Sequence, residues 1–577
     1  MARNFFKLFI EYFIFIDRPA SLFIYCFFVN FETIFYNITI LLSIRNTMEH
    51  QSPKKKGNRN YFLVVIAISL AISFTTCYFA TPTVFGGRDQ GAIATAAIDL
   101  VKHKSFVFSA PSSNDLFQKY GQGRALNFPG FDYTKDGKLI TRFPKAFIAY
   151  LAVFYAALGL KGIQYANFLH LALFLVLFWL ALRQFFSEKV SLLGFLIAAT
   201  FFPFPWFAKY ALTEIFMLFL VWAGIYFLLS FRRPTSKNMD NRFLQISLLF
   251  FALSALTRIE GIVFYLLAAG YIYFLNRKNT IPLSKNFIKY LLISTLLLSA
   301  LYIFLNYHDL TDSAKNFTKA FLPDSTKDSA PSSGLYSHLA TVFLSYNILA
   351  YLILGLAGIG WLAKKVKKNW LKPEYIPILL TFPAFFYLIS PMISLDDPWM
   401  LRRFVFAVFP ILIFYSIYFL NRFFYHKIFL YITLAALITA NVVVSWRFLT
   451  LSENRDLLPQ IEKIAEKFGP NDLILVDRMA TGSGFSLLSD PMTSLFGKKA
   501  VYFFNADDLK YIDQNGYENI FILGPVAEEK TWYTDLVKSR TFDVIEIDNN
   551  FLEPSEKKWG LAQNIESKTI SIIWKIK

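Results

Sequence analysis

At 577 residues the chain has room for more than one domain, and 55% of it is hydrophobic against 17% charged, with 66 Phe, 31 Tyr and a mean hydropathy of +0.43. A water-soluble protein cannot bury that much apolar surface, so the composition excludes a soluble enzyme and gives a polytopic α-helical membrane protein. The formal charge of +18 lies in short Lys/Arg clusters between apolar segments, a pattern of membrane orientation rather than nucleic-acid binding, and Cys26 and Cys77, both in apolar runs, give neither a disulfide framework nor a metal-ligand spacing.

Residues 1–60 form an N-terminal extension ending in a basic segment. Phe5 to Ile16 and Ser21 to Ile44 are apolar but interrupted by Asp17-Arg18 and Glu32. No small-residue cleavage site follows a clean apolar core, so this is not a signal peptide. Residues 1–47 are either an extra hairpin or an upstream extension, and no function is assigned to them. The first convincing span is Tyr61 to Ala80, and a long polar loop covers residues 81–145. Further apolar segments are Ala146 to Leu160, Ile163 to Leu182, Val190 to Phe204, Tyr210 to Ser230, Phe243 to Leu256 and Ile259 to Leu275. They continue with Phe287 to Leu305, Leu339 to Leu362, Tyr375 to Ser390, Phe404 to Leu420 and Ile428 to Trp446. Many are near the ~20 residues that span the hydrocarbon.

Basic loops orient these segments. Lys54-Lys55-Lys56 with Arg59, Arg183 with Lys189, Arg232-Arg233 with Lys237 and Arg242, Arg277-Lys278 with Lys285, Lys364-Lys365 with Lys367-Lys368, and Arg422 with Lys427 all belong in the cytoplasm. This requires Ala146 to Leu160 to be a short, partly inserted helix and leaves about eleven crossings. The N-terminus is then cytoplasmic. From about Thr450 the character turns soluble, with a helix over Leu457 to Phe468, strands over Asp472 to Val476, Lys499 to Phe504 and Asn519 to Leu523, and a helix over Asp507 to Asn515. The expectation is a membrane domain over 61–449 and a small extracytoplasmic α/β domain over 450–577. Thr481-Gly482-Ser483-Gly484 lacks a Walker lysine and reads as an ordinary strand-to-helix loop.

On this topology one face collects an unusual set of groups. They are the turn Gly86-Gly87-Arg88-Asp89-Gln90-Gly91, Lys209 and Glu214 after Phe202-Pro203-Phe204-Pro205-Trp206, Arg258 and Glu260, the loop from Asn306 to Ser337, and Asp396-Asp397-Pro398-Trp399 with Arg402-Arg403. Taken alone, Gly86 to Gly91 is a solvated surface turn and each later charge is a helix-end ion pair or a snorkelling side chain. Together, charges at span ends on one face signal a functional site. Trp399 either stacks on a sugar or sits in the interfacial aromatic belt. His308 and His338 flank the outer loop without a ligand spacing, so no metal site is assigned.

The order of these motifs resembles the GT-C superfamily of integral-membrane glycosyltransferases. They run Gly87-Arg88-Asp89-Gln90-Gly91, Arg142-Phe143-Pro144-Lys145, Leu158-Gly159-Leu160-Lys161-Gly162, Lys209-Tyr210-Ala211-Leu212-Thr213-Glu214, Leu256-Thr257-Arg258-Ile259-Glu260-Gly261, then Asp397-Pro398-Trp399 with Arg402-Arg403. The protein mannosyltransferase and lipid A aminoarabinose transferase branch is the closest in layout, over residues 61 to about 450. The resemblance implies transfer of a sugar from a polyprenyl-phosphate carrier to a lipid, glycan or protein acceptor at the outer face. It also implies that Asp89 is the general base or acceptor-orienting group. Many members carry Asp-Glu there, whereas this chain has Asp89-Gln90. Some branches use a divalent cation, and none is assigned here.

The chemistry itself asks for a carboxylate to take the acceptor's proton and cations to stabilise the departing phosphate. Asp89 offers the first. Lys209, Arg258, Arg402 and Arg403 offer the second, since the guanidinium fork binds phosphate oxygens bidentately. Arg88 is expected to hold Asp89 ionised or to anchor its loop, while Gln90, Glu214, Glu260, Asp396, Asp397 and Trp399 support. No second carboxylate is fixed as a covalent nucleophile, so single displacement with inversion is expected. A transporter or flippase of a lipid-linked or envelope glycan and a non-catalytic assembly scaffold are the alternatives. The first would show internal repeats and midplane charges.

Overall fold

The computed structural model describes residues 58–86, 88–232, 241–281, 283–321, 333–365, 370–390, 396–526, 536–537, 541–555 and 560–576. The apolar segments of the N-terminal extension and Lys54-Lys55-Lys56 lie outside them, as do Arg233, Lys237 and Lys367-Lys368.

Among the described residues six helices are long and apolar enough to cross a membrane, or eight if each of two bent pairs counts as one span. Their placement follows from their surfaces. Thr213–Phe231 has no polar side chain between Glu214 and Tyr226 and is apolar on every side; it is 94% buried at the centre of the bundle, as an all-round apolar helix must be when other helices surround it. Lys285–Phe304 and Lys427–Leu449 are only 11% and 22% buried, and Leu296, Phe304, Ile432 and Trp446 stand exposed, an apolar surface suited to lipid.

The chain departs from the expected spans in four places. Leu339 to Leu362 is not one rod, because Tyr336–Ser345 and Ile348–Lys364 meet at 103°, with Asn347 between them at φ 57°. The segment before Phe404 to Leu420 bends likewise, Trp399–Val405 meeting Val408–Phe423 at 63°. Tyr375 to Ser390, with Pro377 and Pro383 inside it, folds as short turns Pro373–Tyr375, Ile376–Thr381 and Phe382–Leu388, since each ring removes a helical donor. The Asn306 to Ser337 loop begins as helix, Lys285–Phe321 running 37 residues without a break. Lys145–Leu158 is the short helix expected, at 14 residues.

The polar stretch after the first span contains helices Asp89–His103 and Ser113–Tyr120 and a four-stranded antiparallel sheet in the order Val107–Phe108, Leu139–Thr141, Phe131–Tyr133, Gly123–Arg124. The C-terminal region is a five-stranded sheet: Lys499–Tyr502, Leu473–Val476 and Ile520–Pro525 are parallel, and Gln563–Lys575 and Thr541–Glu553 complete it antiparallel. Leu473–Val476, the inner parallel strand, is apolar throughout and buried on both faces, and Ile520–Pro525 beside it is nearly so. The expected helix over Asp507 to Asn515 is instead two tight turns, Ala506–Lys510 and Gln514–Gly516, started by side chains of Asn505 and Asp513 that accept from the backbone two residues on; such Asx turns compete with helix.

These two polar units are docked on each other. Asp508 of the C-terminal domain pairs with Lys119 and accepts from Tyr120 Oη at 2.8 Å, while Asn127 Nδ2 donates to the Tyr502 carbonyl at 2.8 Å. Nearby Lys102 donates to the Ser494 carbonyl, and the buried Asp99 interacts with the half-buried Asp490 across the same junction, where desolvation pushes both carboxyls up to about 7.

Candidate functional site

Three carboxylates stand in the first turns of three different helices. Asp89 opens Asp89–His103, Glu214 is second in Thr213–Phe231 and Glu260 is second in Ile259–Arg277. A helix N-terminus presents unpaired N–H groups and positive potential, so each acid sits where an anion is favoured. All three line one cavity of about 390 Å³ together with Arg124, Arg142, Arg258, Arg402 and Arg403. Five guanidiniums face three carboxylates, so the wall carries an excess of positive charge.

Local sequence explains how the groups are aimed. Arg258 is extended, φ −150° and ψ 153°, between helices Arg242–Thr257 and Ile259–Arg277. A Cβ at Gly261 would collide with the Ser254 carbonyl, so only glycine lets the second helix start this close to the end of the first. Likewise a Cβ at Gly91 would collide with the Phe85 carbonyl, and that contact fixes where Asp89 emerges. The strand-like approach to this turn is pinned from below: Gln164 Nε2 donates to the carbonyls of Cys77 at 3.1 Å and Ala80 at 2.6 Å, closing the end of the first span.

The pairing within the cavity is dense. Arg258 Nη1 donates to Glu214 Oε1 and Thr213 Oγ1, each at 3.0 Å, and its Nε and Nη2 grip the two oxygens of Glu260 at 3.2 and 3.0 Å. Tyr387 Oη donates to the same Glu260. One guanidinium thus meets two carboxylates, and Arg402, 4.0 Å from Glu214, and Arg403, acting on Glu260, supply the further positive charge that buried acids require. Arg402 is bound differently. It pairs with Asp89, and its Nε lies 4.0 Å from Glu214 Oε1 with no hydrogen-bond partner. Arg402 is 7% exposed at its side chain while Asp89 is 40% exposed, so the carboxylate is reachable from the cavity. Arg403 lies 5.8 Å from the Tyr387 ring centre, and its Nε has no hydrogen-bond partner either.

Two expectations are corrected. Lys209 is not in this cavity: its ammonium donates to the carbonyls of Phe448, Leu449 and Leu451 at 2.8, 2.7 and 2.6 Å. Those carbonyls end the helix Lys427–Leu449, where orphan acceptors and negative potential attract a cation, so Lys209 is a helix cap and its phosphate role is withdrawn. Arg88 does not hold Asp89. Successive residues at a helix start point apart, and the Arg88 guanidinium lies 5.2 Å from the Trp399 ring centre and 4.5 Å from that of Phe485. It serves as a cationic wedge between membrane domain and C-terminal domain. Trp399 is buried with Arg402 at 4.7 Å on its ring, so it is no belt residue.

Arg88, Gln90, Asp396, Asp397 and Trp399 instead face a second cavity, of about 180 Å³, whose far wall comes from Asn454 and Phe485 in the C-terminal region. Asp89 and Arg402 on one side, and Arg88 and Trp399 on the other, form the partition between the two cavities. Arg124, Arg142 and Tyr387 join the site without having been expected there. Arg142 stands in one of the ordered motifs and was open to assignment; Tyr387 lies in an apolar run with no signal. Among the described residues no group of three or more His, Cys, Asp or Glu side chains could hold a metal.

No family model matches this sequence, and no curated protein matches it by sequence. Solved structures do match. ArnT from Cupriavidus metallidurans bound to undecaprenyl phosphate is similar at a TM-score of 0.53 and 12% identity, over 89% of this chain and 98% of that one. The same protein in its apo state gives 0.52 and 11%, over 90% and 98%. The archaeal oligosaccharyltransferase AglB from Archaeoglobus fulgidus, in complex with an inhibitory peptide and a dolichol-phosphate, gives 0.47 and 12%, over 82% and 70%. ArnT and AglB are GT-C superfamily membrane glycosyltransferases. The ArnT likeness is one of fold, and the fold expected from the ordered motifs is the fold this chain has.

Proposed function

We propose that the chain is a glycosyltransferase that moves a sugar from a polyprenyl-phosphate carrier to an acceptor at the outer face of the cell (inner) membrane. The observation that carries this is the basic cavity, where five arginines and three helix N-termini converge on a half-exposed carboxylate. Such a wall suits a phosphate, which arginine forks and helix N-termini both bind. The orientation is that of the basic loops, with the N-terminus cytoplasmic and the C-terminal domain outside. The neighbour with undecaprenyl phosphate bound supports the same class of donor.

Arg402 and Arg403 take the phosphate in this mechanism, while Arg258, saturated by Glu214 and Glu260, braces the wall. Arg402 holds Asp89. A donor phosphate competes for that guanidinium and releases the carboxylate to face the acceptor. Asp89 then takes the proton of the acceptor hydroxyl, the oxygen bonds to the anomeric carbon from the face opposite the phosphate, and the carbon–oxygen bond to phosphate breaks with its electron pair leaving on the phosphate. One displacement inverts the anomeric centre, and the leaving charge falls among guanidiniums already in place. A transporter would carry its charges at the midplane of its broken helices; the charges in these bends pair instead with acids at helix ends.

The test is Asp89→Asn in membranes supplied with lipid-linked sugar. Transfer is expected to fall by about 10² to 10⁴-fold, the range for a lost general base, with undecaprenyl phosphate still bound. Full activity in this variant would remove Asp89 from the mechanism.

A further inference from the structure

The contacts around Asp89 close into a circuit that leads out of the membrane domain. Arg88 precedes Asp89 in the chain, and its guanidinium lies over the Trp399 ring, 5.2 Å from the centre. Arg402 lies over the same ring at 4.7 Å and pairs with Asp89. Asp89 is therefore tied to this indole twice, through its own neighbour and through its partner. The indole is a fixed point, being buried, with Phe207 and Tyr210 packed on it at 6.4 and 5.9 Å between ring centres. Arg88 meets a further ring, that of Phe485 at 4.5 Å, which belongs to the C-terminal domain. The same domain also packs on the backbone that leads into Asp89. A Cβ at Gly86 would collide with the Ser486 carbonyl and the Asp490 carboxyl. Farther along, Lys102 in the last turn of the Asp89–His103 helix donates to the Ser494 carbonyl. The stretch from Phe485 to Ser494 thus holds both ends of the element that begins with Asp89.

We infer that the C-terminal domain takes part in catalysis by placing Asp89, with Phe485 as the positioning residue, a role that rests on the transferase reading for what Asp89 does. Phe485 lines the smaller cavity and not the basic one, so it acts through Arg88. Its ring and that of Trp399 hold the guanidinium from two domains, and the peptide between Arg88 and Asp89 carries that placement to the carboxylate that Arg402 receives. With the Phe485 ring removed, Arg88 keeps the indole alone and the turn gains freedom against the Ser486 carbonyl. A base displaced by about 1 Å from its working position loses much of its effect. Arg403 and the braced Arg258 lie on the phosphate side and do not depend on this contact, so the loss falls on the chemical step and not on donor binding.

The test uses the full chain in lipid nanodiscs with Phe485→Leu, which removes the ring and keeps an apolar side chain, and Phe485→Tyr, which keeps a ring. With lipid-linked sugar, Phe485→Leu is expected to lower kcat by about tenfold, the size of one desolvated cation–π contact. KM for the donor should stay within about twofold, as for an interaction that acts only in the transition state. Phe485→Tyr is expected to keep kcat within about twofold of the unaltered chain. Labelling of Asp89 by a carbodiimide with glycine ethyl ester, read by peptide mass spectrometry, reports its pairing with Arg402 without any turnover. It is expected to rise by about tenfold in Phe485→Leu, as when a carboxylate loses a hydrogen bond from a charged group, and to stay level in Phe485→Tyr. Asp508, buried at the domain junction on Lys119 and Tyr120, is the internal reference and stays unlabelled. Gly86→Ala changes no charge and pushes the turn off the Ser486 carbonyl; it should give the same pattern, and it carries the test if Phe485→Leu fails to fold. In a chain that transfers sugar, three results overturn the inference: unchanged kcat or Asp89 labelling in Phe485→Leu, a donor KM that rises as far as kcat falls, or labelling of Asp89 and Asp508 that rises together. The expected labelling pattern in a chain that transfers no sugar leaves the placement by Phe485 standing and removes the transferase reading.

Discussion

The two cavities on either side of the Asp89–Arg402 pair are built on opposite principles. In the larger one nearly every charged group has a partner: Arg258 is shared between Glu214 and Glu260, and Arg402 takes Asp89. In the smaller one the cation Arg88 rests on the rings of Trp399 and Phe485, and Glu453 accepts from Tyr210 Oη at 2.6 Å. Guanidiniums held close together in an apolar bundle need counter-charge to stay there, and carboxylates at three helix starts supply it.

The contrast breaks most severely at the residue shared by both sides. Arg402→Ala removes the partner of Asp89, the proposed phosphate ligand and a cation resting on Trp399 together, and transfer is expected to fall by about 10² to 10³-fold, as when one preorganised donor to a developing anion is lost. Undecaprenyl phosphate affinity should fall with it. A variant with weakened transfer and unchanged lipid-phosphate affinity would place Arg402 outside the donor subsite. Lys209 sharpens the contrast from the other direction. Since its ammonium is spent on three carbonyls at the end of Lys427–Leu449, Lys209→Met should cost about 2 kcal/mol of stability and lower the melting temperature while leaving undecaprenyl phosphate affinity unchanged. Weakened lipid-phosphate binding at unchanged stability would return Lys209 to the phosphate site.

The smallest effect concerns the junction between the two polar units. Buried Asp99 and half-buried Asp490 lie together there, and desolvation raises both carboxyls to about 7; Lys102 works against that rise at Asp99. Because the folded value is raised, the stabilising neutral form is fully present below the ordinary carboxylate value near 4, and its contribution is lost as pH rises through about 7. Asp490→Asn should therefore raise stability by about 1–2 kcal/mol at pH 8 and by almost nothing at pH 4, measured by thermal unfolding in detergent at the two pH values. An equal gain at both would mean that the carboxyl does not titrate in this window.

Much of this protein was legible along the chain. Apolar runs near 20 residues can only be spans, so Asn58–Tyr78, Leu160–Leu182, Thr213–Phe231, Ile259–Arg277 and Lys427–Leu449 lie close to where hydropathy puts them. The β propensity of Leu473–Val476 and Ile520–Pro525 was as plain. The residues of the basic cavity were legible too, because an arginine or glutamate at the end of an apolar run is expensive anywhere and stands out by composition alone. Only the tertiary structure decided which charge meets which. Lys209 and Arg258 look alike in sequence, each a cation a few residues from a glutamate, yet one caps a helix that arrives more than 200 positions later, with Phe448 239 residues away, and the other lines a cavity. Arg88 and Asp89 are neighbours in the chain and face different cavities, because consecutive side chains at a helix start diverge and what each one meets is set by packing. The smaller cavity could not be seen at all. Its walls come from distant segments, Gln90, Trp399 and Phe485 among them, and the sequence holds no record of that space until the domains are docked.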